Sequence, residues 1–168
     1  MDPLLSFYRR QATDDRGRTL DQIRALDRRE LERVHDYIQW LFPLPEPSGA
    51  NPSAPTLTAE AIAAFQNDAT LQRELLESLS LMLAFYGYRL AQGSTGIERA
   101  PDASSRIADW LRPGNHNFLR LTRIMRSLSV LGLPVYARSL LGQLEQLYRE
   151  QPQIIGERTI GFWRRAAA

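Results

Sequence analysis

Cysteine is absent from this 168-residue chain, and so is lysine. Without a thiol, disulfides, thiol catalysis and cysteine-ligated zinc are excluded. Histidine is scarce: His35 and His116 stand in no H-x-x-x-H or H-x-x-E spacing, so no metal and no cofactor is expected. Long apolar runs are missing too. The longest, LMLAFYGY at 81–88, falls far short of the roughly 20 residues of a membrane-spanning helix, so no membrane insertion is expected. The N-terminal MDPLLSFYRR begins with an acid and carries no signal-peptide pattern, which points to a cytoplasmic protein. Nor does charge of one sign dominate. Twenty-one arginines against 19 acids leave a net charge of +2, a weak pull on polyanions. No G-x-S-x-G elbow, Walker loop or G-x-G-x-x-G occurs, so no catalytic residue is assigned.

What is present reads as helices. Apolar residues make up 43% and charged residues 24%, the balance of a globular chain. Asp2 and Pro3 start a short helix through Tyr8, the acid as cap and the proline at the first helical position. Thr19 caps LDQIRAL. Asp27 with Glu30 forms a capping-box pattern that opens RRELERVHDYIQWL, and Pro43, Pro45 and Pro47 end it. Thr58 caps the next helix, with Leu57 and Ile62 as its staple. A long helix opens at Asn67 or Asp68 and runs to about Ala91, with Leu71, Leu75, Leu79 and Met82 on one face. AQGSTGIERAP is a loop with the makings of a small hairpin. Further helices follow over Ala103–Leu111, from Asn115 or Asn117 to Leu131, from Pro134 to before Pro152, and through IIGERTIGFW. No repeat or convincing period-2 strand is visible. The expected fold is all-α: one domain over 1–168, an irregular bundle of about seven to nine helices.

Two stretches concentrate polar and aromatic side chains. In VHDYIQWL (34–41), a continuous helix places Leu31, Val34, Ile38, Leu41 and Phe42 on one face. Trp40 then lies nearly opposite, so the helix is contacted from both sides. His35 and Gln39, one turn apart, border the apolar stripe, where they either face a ligand or bond the returning loop LPEPS. His35 and Asp36 diverge by about 100° and form no catalytic dyad. In NHNFLRLTRIMRSL (115–128), Leu121, Ile124, Met125 and Leu128 form the core stripe. Arg120, Arg123 and Arg126 lie opposite, either as a phosphate-binding face or as a solvated or ion-paired one.

HDYIQWLFPLPEP, APTLTAEAIAAF, LMLAFYG and HNFLRLTRIMRSLSVLG together, in this order, resemble the conserved region of the opioid growth factor receptor family. The resemblance runs from about Phe7 to about Leu147. Its most specific strings are H-x-Y-I-Q-W-L-F-P and H-N-x-L-R-x-T-R-I. The short chain and arginine-only usage are similar to short bacterial members of that family. Its animal members are described as receptors for methionine-enkephalin acting at the nucleus, with basic localisation segments and C-terminal repeats that do not occur in these residues. The resemblance implies a non-enzymatic receptor-like domain and transfers no catalytic residue. It implies a pocket lined by His35, Tyr37, Gln39, Trp40, His116, Asn117, Arg120 and Arg123, taking a peptide or small molecule. Such an aromatic and arginine lining suits a ligand with a carboxylate and an aromatic ring. The alternative is a nucleic-acid-associated protein using the arginine face, and the second alternative an enzyme on an unidentified small molecule.

Overall fold

Local caps place four of the first five helix starts. In the computed structural model, which describes residues 1–168, Asp2 Oδ1 accepts the N–H groups of Leu4 (2.9 Å) and Leu5 (3.1 Å) and opens α1 (Pro3–Tyr8). Complete capping boxes, Thr19 with Gln22 and Asp27 with Glu30, open α2 (Leu20–Arg24) and α3 (Arg28–Arg33). After α4 (Ile38–Leu41), Thr58 caps α5 (Ala59–Asn67), and α6 (Ala69–Tyr86) follows. A two-stranded antiparallel hairpin, β1 (Tyr88–Leu90) and β2 (Ile97–Arg99), sets Tyr88 opposite Arg99. The chain then forms α7 (Ala103–Trp110), α8 (Asn117–Val130), α9 (Pro134–Glu150) and α10 (Pro152–Ala166). The architecture is the irregular helical one expected. There are ten helices, because the stretch read as one helix over 28–41 is two.

The interruption at residues 34–37 has a physical cause. The Leu31 carbonyl, which a continuous helix would pair with the N–H of residue 35, accepts the Tyr37 hydroxyl instead (2.8 Å). Arg16 (3.0 Å) and Arg18 (2.8 Å) hold the Asp36 carboxylate, and Asn51 Nδ2 donates to the Asp36 carbonyl (3.0 Å). These bonds together outbid the helical ladder. A second departure is the end of α6 at Tyr86 instead of near Ala91. Gly87 turns the chain into the hairpin at φ 93°, where a Cβ would stand 2.9 Å from Arg106 Cβ and 3.1 Å from the Ala103 carbonyl oxygen. Only glycine meets both demands.

The backbone falls into two compact units, Met1–Ser78 and Leu79–Ala168, and the division passes through α6. The first unit has a chain of buried rings. Trp40 stands 5.2 Å from Phe7, Phe7 5.8 Å from Tyr8, and Tyr8 5.0 Å from Phe65. The Tyr8 hydroxyl donates to the Leu41 carbonyl, and burial raises its pKa far above the ordinary value. Beside it, Glu74 receives Arg24 (2.7 Å) and Arg10 (2.9 Å).

Burial pushes the Glu74 carboxyl up, but hydrogen bonds from Arg10 and Arg24 outweigh it and hold it below the ordinary 4.5. A depressed folded-state value contributes stability that is complete above the unfolded value and lost as pH falls through the folded one. In urea titrations the unfolding midpoint is therefore expected to decline once the pH drops below 4.5. Glu74→Gln should lower the neutral-pH plateau and make the acid limb shallower. An acid limb identical in both proteins would contradict this role.

In the second unit α8, α9 and α10 pack on one another, and β2 rests against α9, where the Ile97 N–H donates to Ser139 Oγ (2.7 Å). A ladder of edge-on rings runs from Phe85 through Tyr86, Trp110 and Phe118 to Trp163, with centroid spacings of 5.0, 5.4, 6.2 and 5.7 Å. Each such pair adds about 0.5–1.5 kcal/mol beyond the area it buries. The polar ends of these rings are also satisfied. Trp110 donates to the Tyr86 carbonyl (3.1 Å) and the Tyr86 hydroxyl to Asn117 Oδ1 (3.1 Å). Gly156 (φ 78°, ψ 157°) breaks the helical path early in α10. No helix is long and apolar enough to cross a membrane.

Candidate ligand-binding site

The wheel of α8 explains the site. Leu121, Ile124, Met125 and Leu128 are buried as their spacing requires, which leaves Leu119 turned outward and 71% exposed. On α10, Ile160, Trp163 and Ala166 are buried while Phe162 remains 38% exposed. Between these two outward apolar residues lies a cleft of about 230 Å³. Gly114, Asn115, His116, Phe118, Leu119 and Thr122 form one wall, and Arg158, Thr159 and Phe162 the other.

Two interactions set its shape. The Trp163 indole N–H donates to the Phe118 carbonyl (3.0 Å), which ties α10 to the first turn of α8. Asn115 Oδ1 accepts the Asn117 N–H (2.8 Å) and fixes where α8 begins, just after Gly114 turns the chain at φ 68°. On the α10 wall the Phe162 ring carries two cations, Arg158 at 5.6 Å and Arg165 at 5.0 Å from its centroid. Neither guanidinium has a carboxylate partner, whereas neighbouring Arg164 is bonded to Glu145 (2.8 Å).

The eight residues singled out in the sequence fall in two groups. His35, Tyr37, Gln39 and Trp40 belong to the first unit. His35 is exposed in the break between α3 and α4. Tyr37 is fully buried, its hydroxyl on the Leu31 carbonyl. Gln39 is buried, and its Nε2 lies 3.4 Å from both the His35 carbonyl and Ser48 Oγ, so it does bond the returning LPEPS loop. Trp40 is buried, so this stretch is contacted on Trp40's side as expected, and its indole N–H donates to Asp15 Oδ1 (2.9 Å). Burial raises the Asp15 pKa, but hydrogen bonds from Ser53, Trp40 and Asn51 prevail and lower it.

His116, Asn117, Arg120 and Arg123 belong to the second unit, and of the eight only His116 lines the cleft. Asn117 is fully buried. Arg120 is buried as well, Arg123 half-buried and Arg126 exposed. The three arginines therefore do not share one solvent face. Spaced at i, i+3 and i+6 they span a wide arc, and Arg120 falls on the buried column with Asn117, Ile124 and Ser127. Leu119, Arg158, Thr159 and Phe162 escaped the sequence reading. A signal for two of them was available: an apolar Leu119 on the polar side of α8, and Phe162 between arginines at i−4 and i+3.

The second unit thus presents an open cleft whose rim is apolar and cationic, and the sequence places the chain in a family. The chain belongs to the opioid growth factor receptor (OGFr) conserved-region family, which it matches over residues 5–163. It is 43% identical over 112 residues to the opioid growth factor receptor of Rattus norvegicus, covering 66% of this chain and 19% of that protein. Identity to the Homo sapiens receptor is 45% over 104 residues, 61% of this chain and 15% of the relative. Opioid growth factor receptor-like protein 1 of Xenopus tropicalis is 39% identical over 106 residues, 63% of this chain and 20% of the relative. The matched region is thus about a fifth or less of each of these relatives. No solved structure matches the chain.

Proposed function

We propose that this chain is a non-enzymatic, receptor-type binding domain that takes a peptide in the cleft between α8 and α10. The observation that carries the reading is the pair of exposed apolar side chains, Leu119 and Phe162, on the cleft's two walls beside His116. The names of the relatives support a ligand, since three of them are called receptors for opioid growth factor. The cleft's volume favours a peptide over an enclosed small molecule. At about 230 Å³ it lies below the roughly 300–1,000 Å³ of sites that engulf a drug-sized ligand. It suits one or two side chains of a longer chain. In this reading Arg123, one turn after Leu119, borders the site, while Asn117 and Arg120 support it from the buried side of α8. Tyr37, Gln39 and Trp40 hold the first unit together, and His35 is the member of that stretch open to solvent.

Calorimetry with opioid-type peptides tests this directly. Wild type should give saturable heat with at least one of them. Leu119→Glu should bind about tenfold or more weakly, a loss of roughly 1.4 kcal/mol, with an unchanged melting temperature because the residue is exposed. Wild type silent towards every peptide would contradict the proposal.

A further inference from the structure

Resting on that reading, we propose that the cleft selects acidic peptides: an apolar side chain seats against Leu119 and Phe162, and flanking carboxylates bind Arg158 and Arg165. Arg158, Phe162 and Arg165 stand at i, i+4 and i+7 on α10, which puts two cations and one ring on a single helix face. The guanidinium carbons lie 5.6 and 5.0 Å from the ring centroid. A guanidinium stacked on a ring keeps its N–H edge available for a carboxylate.

Neither carries an ion pair, and what sets these two apart from other surface arginines is that both stack on the exposed Phe162 ring, which lines the cleft. Arg10, Arg16, Arg18, Arg24, Arg89, Arg99 and Arg106 all pair with acids. No acid lines the cleft. The chain therefore keeps an unneutralised cationic rim around an exposed phenyl ring, although its net charge is only +2. Negative charge with an apolar anchor completes both features at once. A polynucleotide would use the cations but leave Leu119 without a partner, and two arginines form a small footprint for a phosphate backbone.

The test uses the full chain and fluorescence anisotropy. The probe is a short fluorescein-labelled peptide of glutamates around a central leucine. Controls are the same peptide with glutamines for glutamates, one with serine for the leucine, and a labelled single-stranded oligonucleotide. The acidic leucine peptide should bind tightest, with a dissociation constant that rises several-fold between low and physiological salt. The double variant Arg158→Glu/Arg165→Glu should weaken it at least about tenfold, and Phe162→Ala comparably, at unchanged melting temperature. Arg164→Glu, whose arginine already pairs with Glu145, should have little effect. Equal binding of the glutamine peptide, or binding indifferent to the double variant, would overturn the acidic preference and leave peptide binding intact. An oligonucleotide that binds tighter than the acidic peptide would replace the peptide with nucleic acid as the occupant. No binding by these probes alongside calorimetric heat from an opioid-type peptide would also sink the acidic preference alone, whereas silence in both assays would sink both proposals.

Discussion

Trp40→Ala is expected to destabilise the protein by about 3–5 kcal/mol, the usual loss when a buried tryptophan is truncated. The ring is 4% exposed and packs 5.2 Å from Phe7, the start of the ring chain in the first unit. Its indole N–H also supplies one of the bonds that keep the Asp15 carboxylate ionised. Removing the side chain therefore opens a cavity and takes a donor from Asp15, which lies in the loop between α1 and α2. Trp40→Phe separates the two effects. It keeps most of the apolar volume, so its smaller cost, about 1–3 kcal/mol, reports mainly the lost hydrogen bond. Urea unfolding followed by circular dichroism checks both values. A Trp40→Ala midpoint close to that of wild type would show that the signature tryptophan is not a core residue.

Trp163→Ala should be as costly, about 3–5 kcal/mol, and it should reach the proposed site. Trp163 is fully buried, ends the ring ladder against Phe118 (5.7 Å), and bonds the Phe118 carbonyl (3.0 Å). That carbonyl belongs to the first turn of α8, one residue before Leu119. Losing the indole removes the tie that sets the spacing of the two cleft walls. Peptide binding by Trp163→Ala, measured well below its melting temperature, should therefore be weaker than wild type. Trp163→Phe keeps the ring and loses the bond, so it should show an intermediate deficit. Full peptide affinity in a folded Trp163→Ala protein would mean that the cleft does not depend on this contact.

The sequence was most legible where structure is local. Thr19, Asp27 and Thr58 act within three residues of themselves, and each caps the helix its pattern implies. The small hairpin after α6 was legible only at its glycine-containing turn, since its first strand, Tyr88–Leu90, falls in the stretch that reads as helix. The break at residues 34–37 was not legible, because its causes lie elsewhere in the chain. Arg16, Arg18 and Asn51 reach it from 15 to 20 positions away. A helical wheel drawn through Val34–Leu41 assumes a ladder that those bonds replace, so it places Trp40 opposite the stripe but cannot say what covers it; the ring is buried against Phe7. Arg120 misled for a related reason. At the edge of a polar arc, its burial is decided by what packs against α8 and not by its own neighbours in sequence. The cleft was half visible. Leu119 and Phe162 each break the pattern of their own helix, but that the two face one cleft follows only from how Trp163 docks α10 on α8.

Family membership and the aromatic strings also meet in the structure. Trp40 belongs to the first of the two most specific strings and is a link in the ring chain of its unit, and Phe118, at the open position of the second string, is a link in the other. The cleft is lined by His116 and Leu119, which belong to the second string, and by Arg158 and Phe162 of α10.

The central claim, that a peptide is held between α8 and α10, is tested most directly by a nitrogen-15 NMR titration of the full chain with the acidic leucine peptide. The expected result is that saturable shift changes gather at residues 114–122 and 158–165, with His35 and its neighbours unmoved. Changes concentrated around residues 35–53, or none at saturating peptide, would contradict it.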